Sequence, residues 1–161
     1  MIIMRKDYIV ICLLIGLSIL SLLIFIRKRN IKSAFLAILV YQTFTWPAGL
    51  LLTYLHMLEY PVRLFPKAID SSFLNGFIIN PSIFCIYYIH YPKKSKLAWR
   101  FLYTLLILTI PITIEFLNNK YTNLVKYKSW NWYFSLPLLL ATYFISTKYS
   151  DWFIKNTRKG A

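Results

Sequence analysis

Five long apolar runs, separated by short breaks that carry charges or prolines, constrain this chain more than any other feature of its sequence. A helix needs about 20 mostly apolar residues to cross the roughly 30 Å hydrocarbon core of a bilayer. Only 15% of the 161 residues are charged, against roughly 25% in an ordinary soluble domain. The sequence therefore predicts an all-α fold, a single integral membrane domain over residues 1–161. Its five transmembrane spans are predicted at residues 8–26, 33–58, 73–91, 97–117 and 130–147.

The basic residues predict the orientation of this bundle. A net charge of +14 would suggest nucleic acid as a partner in a soluble protein. Here the bases flank the apolar runs, where they anchor helices to lipid headgroups, so we expect membrane lipids and no nucleic acid. The five-span topology puts twelve of the nineteen bases at one end of the bundle. The positive-inside rule then predicts that the N-terminus is outside and the C-terminus inside.

Prolines and polar residues distinguish some spans from others. A proline removes a main-chain hydrogen bond, so each is expected to kink its helix. The second span is the most polar, and we expect Gln42 and Thr45 to form hydrogen bonds to neighbouring helices, because such groups are costly against lipid. A substrate path along the same helix is the alternative. The predicted kinks lie at Pro47, Pro81, Pro111 and Pro137.

The break after the second span, HMLEYPVRLFPKAID (residues 56–70), is rich in charges and prolines. Pro61 and Pro66 disfavour helix in the residues before them, so we predict a rigid turn at the membrane surface. Four of the five acidic residues fall on this outer side of the predicted topology. A mixed-sign cluster at one membrane surface is the strongest candidate for a binding site in this sequence.

Glu115 is the one acidic residue inside a predicted span. An ionisable group at that depth requires a partner or access to water. Arg63 is the preferred partner, because a guanidinium can form two parallel hydrogen bonds with a carboxylate; Lys67 and Lys120 are the alternatives. The predicted ligand- or partner-binding residues are His56, Glu59, Arg63, Lys67, Asp70 and Glu115.

The sequence contains no recognisable chemistry for a reaction. His56 and His90 are predicted at opposite faces of the membrane, so they cannot share a metal ion. The chain has no Ser-His or Cys-His arrangement typical of nucleophilic catalysis. We therefore predict no catalytic residue, no metal and no cofactor.

Four stretches carry a resemblance to a known group of proteins: TWPAGLLL, LEYPVRLFPKAIDSSF, EFLNNKYTNLVKY and WNWY. Together they resemble an uncharacterised family of small multi-pass membrane proteins of spore-forming Firmicutes, over roughly residues 33–154. The resemblance implies a multi-pass topology in a bacterial plasma membrane. It implies no activity, ligand or catalytic residue.

Three functions are compatible with these features. The first is a membrane component that binds a small ligand or a partner at its outer charged cluster, within a larger membrane complex or a homo-oligomer. The second is a structural or scaffolding protein whose charges orient the loops. The third is a membrane-embedded enzyme acting on lipid or envelope precursors, in which Glu59, Asp70 or Glu115 would be the acid or base. The absence of a catalytic motif favours the first two.

Overall fold

The chain begins with two long helices connected by a single tight turn. The computed structural model describes residues 2–159, with side chains from residue 5 to residue 157. Helix α1 spans Ile2–Phe25, a short 3-10 helix follows at Lys28–Asn30, and α2 spans Ile31–Tyr54. Because the connection is so short, α1 and α2 run in opposite directions.

The second half of the chain is also mostly helical. A π-helix at Leu74–Ile79 passes directly into α3 (Asn80–His90), and α4 (Leu97–Tyr121) and α5 (Trp132–Lys159) follow. Helix α2 packs against α3 and α5, whereas α1 packs against α3 and the π-helix. The last two helices extend beyond the spans predicted for them, since α4 continues past residue 117 and α5 continues past residue 147.

The loops at one end of the bundle form a small sheet, so the all-α prediction is incomplete. Strand β1 (Leu58–Glu59) pairs antiparallel with β2 (Lys126–Tyr127). The same register continues outside the strands, where Lys128 donates its main-chain N–H to Met57 at 3.1 Å and Val62 donates to Asn123 at 3.0 Å. Together these contacts align residues 57–62 with residues 123–128.

Helix α2 ends at Tyr54 rather than at the predicted residue 58. His56 adopts a left-handed conformation with φ 52°, and its N–H donates to the Thr53 carbonyl at 3.0 Å. The N–H of Met57 turns back to the Leu52 carbonyl at 3.0 Å. These two bonds form a Schellman motif, which satisfies the last carbonyls of the helix and redirects the chain into β1.

Helix α1 begins before the predicted start of the first span at residue 8. The helix already includes Asp7, and the Asp7 side chain is only 1% exposed. Asp7 accepts hydrogen bonds from the main-chain N–H and the side-chain amide of Asn123, at 3.2 and 3.3 Å. These bonds compensate the buried carboxylate and fix the start of α1 against the α4–α5 loop.

The polar residues predicted to form interhelical bonds in α2 behave differently from each other. The side-chain amide of Gln42 donates to the Phe77 carbonyl of the π-helix at 3.4 Å. Phe77 lies four residues before Pro81, which has no N–H to donate to the preceding turn. Thr45 was expected to bond to a neighbouring helix, and this is wrong: its hydroxyl donates to the Tyr41 carbonyl of its own helix at 2.9 Å, a common local alternative for threonine.

Three of the four predicted kink prolines lie inside α-helices and one does not. Pro47, Pro111 and Pro137 are internal to α2, α4 and α5. Pro81 instead occupies the first turn of α3, immediately after the π-helix. Because the π-helix continues directly into α3, the missing N–H of Pro81 removes one donor to the carbonyls of the π-helix.

The helices expose many large apolar side chains on their outer surfaces. Three helices in the described residues are long and apolar enough to cross a membrane: Arg5–Phe25, Lys28–Tyr54 and Leu97–Tyr121. Their surfaces expose large apolar side chains such as Leu23, which is 74% exposed. Such an extended apolar surface is suited to lipid, and the chain is a candidate membrane protein.

The interior of the bundle is aromatic and partly polar. Tyr41, Phe84 and Tyr143 are fully buried where α2, α3 and α5 meet, and the Tyr41 ring stacks on Phe84 with a centroid distance of 4.6 Å. Ser146 and Ser150 are also fully buried on α5. These hydroxyl-bearing side chains therefore lie in the interior of the bundle rather than on its apolar surface.

Gly76 allows a close approach between the π-helix and α2. A Cβ atom at this position would lie 3.1 Å from the Trp46 ring, whereas a Cβ at Gly16 of α1 would meet nothing within 4 Å. We expect Gly76→Val to lower the thermal unfolding midpoint in detergent, at a cost of roughly 1–3 kcal/mol for overpacking. Gly16→Val is the matched control and should leave the midpoint nearly unchanged. Equal effects of the two substitutions would contradict this packing.

Candidate functional site

A groove of about 880 Å³ lies at the end of the bundle where α2 ends. The last turn of α2, the turn at His56, β1 and the following loop form its walls. Five of the six predicted site residues line this groove, and Glu115 does not. The charged residues of the lining and its one histidine are His56, Glu59, Arg63, Lys67 and Asp70.

Arg63 holds the loop of the groove in shape. Its guanidinium donates to the main-chain carbonyls of Tyr60 at 3.2 Å, Pro66 at 3.3 Å and Asp70 at 3.3 Å. It also forms an ion pair with the Asp70 carboxylate at 2.8 Å. The prolines of this loop cannot donate main-chain hydrogen bonds, so the two terminal nitrogens of the guanidinium organise the turn instead.

The predicted pairing of Arg63 with Glu115 is wrong. The described residues contain no ion pair between them, because Arg63 is occupied by Asp70. Glu115 instead accepts hydrogen bonds from the Tyr127 hydroxyl at 2.9 Å and from the Ser135 hydroxyl at 3.0 Å. Trp130 donates its indole N–H to Ser135 at 2.9 Å. The partners of Glu115 are thus neutral donors from the α4–α5 loop and α5.

Two tyrosines near Glu115 keep their protons. Burial raises the pKa of Tyr127 above its usual range, and the Glu115 carboxylate raises it further. Burial and the same carboxylate also raise the pKa of Tyr60, which lies in the loop after β1. A tyrosinate beside a carboxylate would be repelled, so the Tyr127 hydroxyl keeps its proton and continues to donate to Glu115.

The charged groups of the groove divide into paired and free ones. Glu59 forms an ion pair with Lys128 across the small sheet at 3.3 Å, and Asp70 is paired with Arg63. Lys67 and His56 are exposed, and neither side chain has a hydrogen-bond or ion-pair partner among the described residues. Among the charged side chains and the histidine of the groove, the exposed groups without a partner are therefore an ammonium and an imidazole.

Asp7, Asn123 and Ser135 are site-forming residues that the sequence reasoning missed. Asp7 lies just before the predicted start of the first span at residue 8, and the sequence indicates no role for Ser135. The available signal was the isolated acid at the start of an apolar run, since a carboxylate at such a position requires hydrogen-bond donors. The sequence does not indicate that Asn123, 116 residues away, supplies them.

The part of the chain between residues 2 and 159 contains no group of three or more His, Cys, Asp and Glu side chains that could hold a metal ion. His90 lies at the end of α3, where its ring contacts the Phe25 ring at a centroid distance of 6.0 Å. It is therefore at the opposite end of the bundle from His56.

Comparison of the chain with protein-family models, with curated proteins and with solved structures finds no match. The resemblance to small multi-pass proteins of Firmicutes therefore stays a prediction. The candidate site is therefore supported by its geometry and not by any relative.

The hydrogen bond from Tyr127 to Glu115 gives a direct test of this arrangement. We expect Tyr127→Phe to lower the free energy of unfolding by roughly 1–3 kcal/mol, because it leaves a half-buried carboxylate with one donor fewer. Tyr121→Phe is the control, since Tyr121 is 58% exposed and its hydroxyl forms no hydrogen bond among the described residues. Thermal or denaturant unfolding in detergent measures both. A control as destabilising as Tyr127→Phe would contradict the arrangement.

The left-handed backbone at His56 gives a second test. A non-glycine residue in this conformation costs roughly 1–2 kcal/mol, and part of that is regained in His56→Gly despite the greater freedom of glycine in the unfolded chain. We expect His56→Gly to raise stability by roughly 0.5–1 kcal/mol. The neighbouring Leu55 has an ordinary φ of −77°, so Leu55→Gly should instead lower stability. A destabilising His56→Gly would contradict the strained backbone.

Proposed function

We propose that this chain is a multi-pass membrane protein that binds a small ligand, or an exposed group of a partner, in the groove next to His56. In the proposed topology all five helical segments cross a bacterial plasma membrane and the groove faces outward. The excess of basic residues at the opposite end supports this orientation. The resemblance to multi-pass proteins of Firmicutes supports the same location.

The division of charges in the groove carries the proposal. Both acids of the groove are engaged, Glu59 with Lys128 and Asp70 with Arg63. Lys67 and His56 remain free, so the groove offers hydrogen-bond donors and positive charge to whatever enters it. The ligand class that fits is a molecule or side chain with an anionic or acceptor group, such as a carboxylate or a phosphate.

The strain at His56 supports a role for its side chain. Glycine is the usual residue at this position of a Schellman motif, yet the chain carries an imidazole that projects from the turn into the groove lining. Strain of this kind is often retained at binding sites. His56→Gly should therefore give a more stable protein that binds its ligand less well.

The orientation is tested by cysteine labelling on intact cells. In a chain whose Cys12 and Cys85 are replaced by alanine, Ala68→Cys should react with an impermeant thiol reagent and Ser95→Cys should not. Both positions are exposed and lie at opposite ends of the bundle, which makes them a matched pair. The reverse pattern would overturn the orientation, and labelling of both positions on intact cells would show dual insertion.

The binding function is tested by native mass spectrometry of the full chain released in mild detergent. The wild-type protein should retain an anionic small molecule or a protein partner. Lys67→Gln combined with His56→Gly should lose it, whereas Lys120→Gln should not, because Lys120 lies outside the groove. Retention by the double variant would place the binding site elsewhere. A wild-type chain that retains nothing and gains no thermal stability from added anionic envelope fragments would contradict the proposed function.

A further inference from the structure

A second cavity, of about 770 Å³, lies at the other end of the bundle. The start of α2, the loop between α3 and α4, and the last third of α5 form its walls. It shares no lining residue with the groove next to His56. A ligand here would be distinct from the one proposed for the groove next to His56, although both rest on the proposed multi-pass topology.

The cavity is basic, and its single acid is already neutralised. Lys93, Lys94 and Lys155 line it together with Asp151. Asp151 accepts a hydrogen bond from the Tyr88 hydroxyl at 2.8 Å and forms an ion pair with Lys93. Lys94 and Lys155 have no hydrogen-bond or ion-pair partner among the described residues. Three lysines against one paired aspartate leave two positive charges over this cavity.

The remaining lining is matched to an amphiphilic ligand. The hydroxyls of Ser33 and Ser95 lie in the lining with the two free lysines, and hydroxyl and ammonium groups are the usual donors to phosphate oxygens. Ile89 and Ile154 form an apolar part of the same wall. An ion dissolved in water would gain nothing from that apolar part, whereas a lipid would place its glycerol and upper acyl carbons there.

From these observations we propose that Lys94, Lys155, Ser33 and Ser95 bind the phosphate of an anionic phospholipid headgroup in this cavity. Basic pockets between membrane helices are suited to such headgroups, because the lysines supply charge at the depth of the lipid phosphates. A free inorganic phosphate would use the same donors. The two sources differ in whether the apolar wall contributes to binding.

Native mass spectrometry of the full chain, titrated in mild detergent with phosphatidylglycerol or phosphatidylcholine, tests this site. The wild-type protein should bind phosphatidylglycerol more tightly. Lys94→Gln combined with Lys155→Gln should weaken that binding roughly tenfold or more, since one lysine near an anionic lipid surface is worth about a factor of five. Lys96→Gln combined with Lys148→Gln is the control, because it removes the same charge at the same end outside the cavity.

A second variant changes binding in the opposite direction. Asp151→Asn removes the one negative charge of the lining and frees Lys93, while an asparagine oxygen can still accept the Tyr88 hydrogen bond. Phosphatidylglycerol binding by Asp151→Asn should therefore rise severalfold. Unchanged or weaker binding would count against an anion site in this cavity, even if the double lysine variant proved too unstable to purify.

Inorganic phosphate distinguishes the two sources of the anion. If the ligand is a lipid headgroup, phosphate alone should not raise the thermal unfolding midpoint and should not displace phosphatidylglycerol. Protection and displacement by phosphate would identify free phosphate as the ligand and overturn the lipid assignment. An equal loss of phosphatidylglycerol in the control pair, or equal binding of both lipids by the wild type, would overturn the site itself.

Discussion

Asn123 connects three parts of the chain, and the shape of the groove depends on it. Its main-chain N–H and side-chain amide both donate to the buried Asp7 of α1, and its carbonyl accepts the N–H of Val62. A carboxylate that is 1% exposed is stable only with such donors. Because Asn123 also takes part in the pairing of residues 57–62 with residues 123–128, it connects the groove wall to α1.

The charged groups near the groove are of two kinds: some stabilise its walls, and others are exposed without a partner. Arg63 satisfies carbonyls that the proline-rich loop leaves without donors, and the pair of Glu59 with Lys128 closes the small sheet. These groups have little capacity left for a ligand. Lys67 and His56 are free because neither is needed for the turn, so the residues with the most interactions are the least suited to binding.

The sequence predicted the parts of this fold that depend on local chemistry. The apolar runs placed five helical segments, and the prolines and charges of residues 56–70 identified the loop that lines the groove. What it could not predict was pairing at long range. Arg63 and Glu115 are a chemically reasonable pair, but the register between residues 57–62 and 123–128 puts Tyr127 beside Glu115 and leaves Arg63 to Asp70. That register depends on Asp7 and Asn123, which no local pattern connects.

Helix α5 carries polar side chains on the face that it buries against the other helices. It is not among the three helices in the described residues that are long and apolar enough to cross a membrane, and it buries the hydroxyl side chains of Tyr143, Ser146 and Ser150. Ser146, Ser150 and Tyr143 have no hydrogen-bond partner for their hydroxyls within residues 2–159, and such groups inside a bundle require ordered water or each other. Lipid would offer them neither. Packing against α2 covers this face, so the buried hydroxyl groups of α5 depend on assembly of the bundle.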